Sequence, residues 1–136
     1  LVEAFTATLE ETAQADLLLH VVDASAVDRD EQVAQVDRVL EDIGARDVPR
    51  ILVHNKIDRC GRAPEVGLDH YGRIDRVWAS AVTGDGLELL RSAIDQQLTA
   101  WQQARRRSES GDARDDAHEP AAGAAAPDTA HAHRAA

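Results

Sequence analysis

The residues best suited to chemistry are four in a row, Asn55, Lys56, Ile57 and Asp58, directly after the apolar run Arg50-Ile51-Leu52-Val53-His54. Asp58 can present two carboxylate oxygens side by side, a bidentate match for a flat ring with two adjacent N–H donors, as on the N1–H and N2–H₂ edge of guanine. Adenine lacks that donor pair. A site whose acceptors go unpaired with the wrong base can discriminate by about 10⁴-fold. Lys56, the only lysine beside 14 arginines, can lay its methylene stem across one face of the base while its ammonium stays near water. Asn55 carries a donor and an acceptor, enough to pair with the base edge and to tie neighbouring loops together. The same four residues also fit a polar turn at a strand end, with Asn and Asp satisfying backbone groups.

A second segment, Ser80-Ala81-Val82-Thr83-Gly84, lies 22 residues beyond Asp58 and again follows a short apolar run. If both runs are neighbouring parallel strands, their loops meet at the carboxyl rim of the sheet, where open α/β sheets bind ligands. The Ala81 N–H could then donate to guanine O6, where adenine has an amino group. Ser80 could brace Asp58 through its hydroxyl. The plainer alternative is that Ser80 and Thr83 only shape a turn before a helix. The candidate site is therefore Asn55, Lys56, Ile57, Asp58, Ser80, Ala81 and Val82, with no catalytic residue and no metal-ligand set assigned.

The elements that must position these loops follow from hydrophobic spacing. Leu1, Phe5 and Leu9 recur every four residues up to Ala15 and predict an amphipathic helix. Leu17 to Val22 is a nearly continuous apolar run, as expected of a strand buried on both faces, and it stops at Asp23-Ala24-Ser25. Val33, Val36, Leu40 and Ile43 space as a second helix closed by Gly44. The stretch from Arg59 to Gly72, with Gly61, Pro64, Gly67 and Gly72, reads as mostly loop. Arg76 to Ala79 is a third strand, and Thr83-Gly84-Asp85-Gly86 turns into a last helix with Leu87, Leu90, Ile94, Leu98 and Trp101 on one face. Strands alternating with helices predict an α/β fold, a three-layer parallel sheet with helices on both faces. Three strands make a small sheet with two unpaired edges, so further parts are expected.

Composition bounds the rest. One small domain is the ceiling for 136 residues, here 1–104. Segment 105–136 has almost no large apolar residue and is expected to be a disordered low-complexity tail, with His118, His131 and His133 incidental and Arg105 to Arg107 closing the last helix. The net charge of −10 lies almost wholly in the folded part, which argues against nucleic-acid binding by bulk electrostatics. Single Cys60 excludes an internal disulfide, no Cys/His cluster has zinc spacing, and no run reaches the length of a membrane span. A cytoplasmic setting fits this pattern. Beginning at Leu1 inside a helical pattern, the chain is expected to be a fragment. His20 and His54 read as strand residues packed against helices, Cys60 as an ordinary loop thiol, and Trp78 and Trp101 as core or half-buried anchors.

Several stretches together resemble the HflX-type ribosome-associated GTPases, of the translation-factor class of P-loop proteins. Leu1-Val2-Glu3-Ala4-Phe5 with Thr8-Leu9-Glu10-Glu11 resembles the helix after the second switch, and Leu17 to Ser25 the strand that follows. Asp30-Glu31-Gln32 opening a helix that ends Ile43-Gly44 is similar too, as are Val53 to Asp58 and Ser80 to Gly84. The resemblance covers about Leu1 to Gln97. It implies half of a G domain that recognises GTP or GDP through Asn55, Lys56, Ile57, Asp58, Ser80, Ala81 and Val82. For an intact parent it implies a magnesium-dependent GTPase that binds the large ribosomal subunit. No G-x-x-x-x-G-K-[ST] occurs in the chain, whose only lysine is Lys56. Phosphate and magnesium binding and hydrolysis are thus not expected of this chain alone. Two other readings stand beside it: another translation-factor-class GTPase acting on tRNA or ribosome assembly, and a non-catalytic α/β interaction module.

Overall fold

A computed structural model describes residues 2–112, and the side chains of 8–110. The order is α1 (Val2–Ala13), β1 (Leu18–Asp23), α2 (Arg29–Asp42), β2 (Arg50–Asn55), α3 (Ile57–Cys60), β3 (Glu65–Leu68), β4 (Ile74–Trp78) and α4 (Leu87–Asp112). The strands form one sheet in the order β1-β2-β4-β3. β1, β2 and β4 are parallel, with Val21 opposite Val53 and Val53 opposite Val77.

Alternation along β2 decides which layer lies on which face. Ile51 and Val53, at 0% and 4% exposure, join Val77, Ala79 and the α4 residue Ala93 in the core, with Leu87, Leu90 and Ile94 of α4 packed against them. Burying each of the larger of these side chains stabilises the fold by about 1.5–3 kcal/mol. Leu52 and His54 point the other way and line a cleft together with Val33 of α2. Helix α4 is pinned lengthwise too. Its Gln96 side chain accepts from the Ile74 N–H at 3.0 Å, and Gln97 donates to the Ile74 carbonyl at 2.9 Å, which fixes the helix against the start of β4. Gly44 closes α2 with φ +73° while Ala45 N–H reaches back to the Leu40 carbonyl, the helix stop expected of that glycine.

Four expectations are corrected. The sheet is mixed rather than wholly parallel, because β3, inside the stretch read as loop, pairs antiparallel with β4. A parallel β2–β4 pair needs a crossover, and here the short α3 and the edge strand β3 supply part of it. β1 is not buried on both faces: Leu19 and Val21 are 44% and 58% exposed, since β1 pairs on one side only and α4 lies over β4 and β2. Nor do Arg105 to Arg107 close the last helix. α4 continues to Asp112, helped by an i,i+4 ion pair from Arg105 to Glu109 at 3.4 Å. Residues 113–136, with His118, His131 and His133 and most of the expected tail, lie outside the described residues, as do the side chains of Leu1 and Phe5. Among the described residues no helix is long and apolar enough to cross a membrane.

Candidate functional site

β2 and β4 end side by side, so the loops after them start at the same rim. After Asn55 the backbone turns sharply. Lys56 adopts φ +69°, the one non-glycine residue with positive φ among those described, at a cost of about 1–2 kcal/mol. That turn starts α3, and Ile57, at 2% exposure, anchors it in the core while its N–H donates to the Ala79 carbonyl at 3.3 Å. Opposite, Ser80 is fully buried and Val82 stands 86% exposed at the loop tip. Gly84 and Gly86 carry φ +85° and +81°, and a Cβ on Gly86 would lie 2.5 Å from the Trp78 carbonyl oxygen. Only glycine lets the chain pass β4 this closely on its way into α4.

Side chains tie the two loops together. The Ser80 hydroxyl donates to Asp58 Oδ1 at 2.6 Å, the bracing its position allowed. Among the described residues it is the carboxylate's single partner. Ser80 Oγ also accepts from the Thr83 N–H at 3.2 Å, and Ser80 N–H donates to the Asp85 carbonyl at 2.8 Å, so the serine is locked on three sides. The Ala81 N–H, expected to face a base oxygen, donates instead to Asn55 Oδ1 at 3.0 Å. Asn55 thus ties the loops, as its chemistry allows.

A third strand end joins them. Asp23, opposite Asn55 in register, closes β1, and its Oδ2 accepts from Lys56 Nζ at 2.8 Å. Its Oδ1 accepts from the Ser25 hydroxyl at 2.6 Å and the Ser25 N–H at 2.9 Å. The Lys56 bond first, and those from Ser25 next, hold the Asp23 carboxyl well below the usual carboxylate range. Sequence reading treated Asp23 only as the residue that stops a strand. The signal was there: an acid at one strand end, and the sole lysine just past the neighbouring strand's end.

Beneath the rim the other face of the sheet is aromatic. His54 stacks on Trp78 at 4.7 Å, and the Arg62 guanidinium lies 4.4 Å from the Trp78 ring centre. His54 is 7% exposed, and among the described residues its Nδ1 has no hydrogen-bond partner. Burial, then the charges of Arg29, Arg62 and Arg76, push its pKa down, so it stays neutral near pH 7. The expected bland role of His54, packed in a strand, fits this setting, and Cys60 is exposed in α3. A cleft of about 290 Å³ borders His54, Arg62 and Trp78, and another of about 400 Å³ borders Asp37, Leu40 and Arg46. Neither includes Asn55, Asp58 or Ser80. Among the described residues no group of three or more His, Cys, Asp or Glu could hold a metal ion.

No family model matches the chain. Curated relatives do. The chain is 46% identical over 100 residues to "GTPase HflX" of Escherichia coli (strain K12), covering 73% of the chain and 24% of that protein. It is 45% identical over 98 residues to the "GTPase HflX" of Caldanaerobacter subterraneus subsp. tengcongensis, covering 72% and 22%. A third, from Spirochaeta thermophila, is 42% identical over 99 residues, covering 72% and 23%. Over about 70% of its length, the chain is HflX-type. It spans about a quarter of the length of these relatives. The HflX resemblance, which covers about Leu1 to Gln97, thus has sequence similarity of comparable length behind it.

Proposed function

We propose that this chain is the guanine-recognising part of an HflX-like GTPase, with Asn55, Lys56, Ile57 and Asp58 on one loop tip and Ser80, Ala81 and Val82 on the other. The observation that carries it is the Ser80–Asp58 bond of 2.6 Å, which orients a carboxylate suited to read the N1–H and N2–H₂ edge. The Asn55–Ala81 bond supports the same reading, because it holds the two loops at a fixed spacing and satisfies the amide that guanine O6 would otherwise meet. On binding, Ala81 N–H would be shared with or released to O6. Adenine, with an amino group there, offers no acceptor in exchange. The Lys56 stem supplies an apolar surface for one face of the ring.

The fold in this reading is part of a P-loop GTPase G domain. Phosphate binding, magnesium and hydrolysis belong to parts of the parent outside these residues, so the chain by itself does not hydrolyse GTP. The parent would act in the cytoplasm on the large ribosomal subunit. Titration of the chain with a fluorescent guanine nucleotide tests the reading. Competition by GDP and not ADP, lost in Asp58→Asn, is the expected result. Equal competition by ADP, or binding indifferent to Asp58→Asn, contradicts it.

A further inference from the structure

The base-reading loops are the ends of β2 and β4, yet the ammonium of Lys56 is held from elsewhere, by the end of β1. Lys56 is half-exposed, with 39% of its side chain open to solvent, and a lysine so placed would ordinarily sample many rotamers and lose that freedom on being fixed. Here it is fixed before any ligand arrives. Asp23 Oδ2 takes the ammonium at 2.8 Å, and Asp23 is in turn held by two bonds from Ser25 to its other oxygen. The backbone is tied as well, since Ala24 N–H donates to the Asn55 carbonyl at 2.7 Å. β1 thus contributes a braced acid rather than a bare strand end.

We propose that Asp23 is a positioning residue for the nucleotide site, holding the Lys56 stem where it can lie across one face of a purine ring, with Ser25 as its brace. The inference rests on the guanine reading above and extends the site to a third strand end. Its consequence is specific. Lys56 meets the face of a base and not its edge, so loosening it weakens every purine nucleotide that Asp58 can accept and leaves discrimination by the edge intact. Asp58 does the opposite.

GDP and inosine diphosphate, which lacks the 2-amino group, separate the two roles in the full 136-residue chain. Asp23→Asn keeps the size and an acceptor for Ser25 but removes the charge that holds Lys56. It should weaken GDP and inosine diphosphate equally, by about three- to tenfold, the range of a partly exposed charge-assisted pair. Asp58→Ala should instead collapse the ratio between them. In a Lys56→Met background, which keeps an apolar stem, Asp23→Asn should cost nothing further, the sign that the acid acts through the lysine. Because Lys56 is the only lysine, the ammonium resonance of lysine labelled with ¹⁵N at Nζ reports on it alone. That resonance should be sharp in the wild type and broadened in Asp23→Asn. Should Asp23→Asn fold poorly, Ser25→Ala loosens the brace instead, with about a twofold loss expected. Unchanged GDP affinity in a folded Asp23→Asn, or equal further loss in the Lys56→Met background, overturns the inference alone. Failure of the wild type to prefer GDP over ADP overturns the guanine reading and this inference together.

Discussion

Two sets of residues from β2 and β4 sit almost back to back and are held by different forces. At the rim, Asn55, Asp58 and Ser80 are joined by directional hydrogen bonds that cross between loops. One residue earlier in β2, His54 turns to the other face and is held by stacking on Trp78, capped by Arg62, its Nδ1 without a hydrogen-bond partner among the described residues. Strand alternation alone divides them. Polar bonds between loop tips fix geometry that a ligand can use, while the stacked column contributes packing and keeps a titratable ring neutral. Loss of a rim group should therefore act on recognition, and loss of a column group on stability.

The sharpest break would come at Asp58. Asp58→Ala removes the acceptor pair and leaves the buried Ser80 hydroxyl without its acceptor, so GDP-over-ADP preference should fall by about 10²-fold or more in competition titrations, with a stability loss of only about 1 kcal/mol. Gly86→Ala should do the reverse. Its Cβ meets the Trp78 carbonyl at 2.5 Å in a left-handed conformation, and a stability loss of about 2–3 kcal/mol in urea unfolding is expected. Ser80→Ala lies between the two. It leaves Asp58 without its brace and the Thr83 N–H without an acceptor, for a loss of about 1–2 kcal/mol in stability and roughly tenfold in guanine selectivity.

The smallest effect belongs to the column and depends on pH. His54 has a folded pKa below its ordinary value of 6.5, so the unfolded chain binds more protons on acidification. The contribution is fully present above the ordinary value and is lost as pH falls below it. His54→Phe, which can still stack on Trp78, should flatten the decline in stability between about pH 7 and 5.5. The slope that remains should belong to His20, whose pKa is lowered by burial and by Arg50.

The parts legible in the sequence were those set by local chemistry. Gly44 stops α2 because the backbone there needs positive φ, and a serine 22 residues after Asp58 is within reach of it only if two parallel strands end together. The parts missed were set by distant partners. β3 is short and carries Gly67, so its strand character depends on pairing with β4, which no local pattern shows. An apolar run such as Leu17 to Val22 reads as buried whatever its place in a sheet, yet at an edge Val21 faces solvent. The arginines at 105–107 read as a helix end because positive charge suits that place, whereas Arg105 pairs with Glu109 one turn further along a helix that continues. Asp23 passed as punctuation since its lysine lies 33 residues away.

Nuclear magnetic resonance of the uniformly ¹⁵N-labelled chain, titrated to millimolar GDP and separately to ADP, tests the central assignment most directly, because it detects weak binding residue by residue. The backbone amide of Ala81 and the side-chain amide of Asn55 should shift with GDP and hold still with ADP, as the bond between them is shared with or released to the base. Stationary signals from both residues under GDP, or equal shifts under ADP, would contradict a guanine site at these two loops.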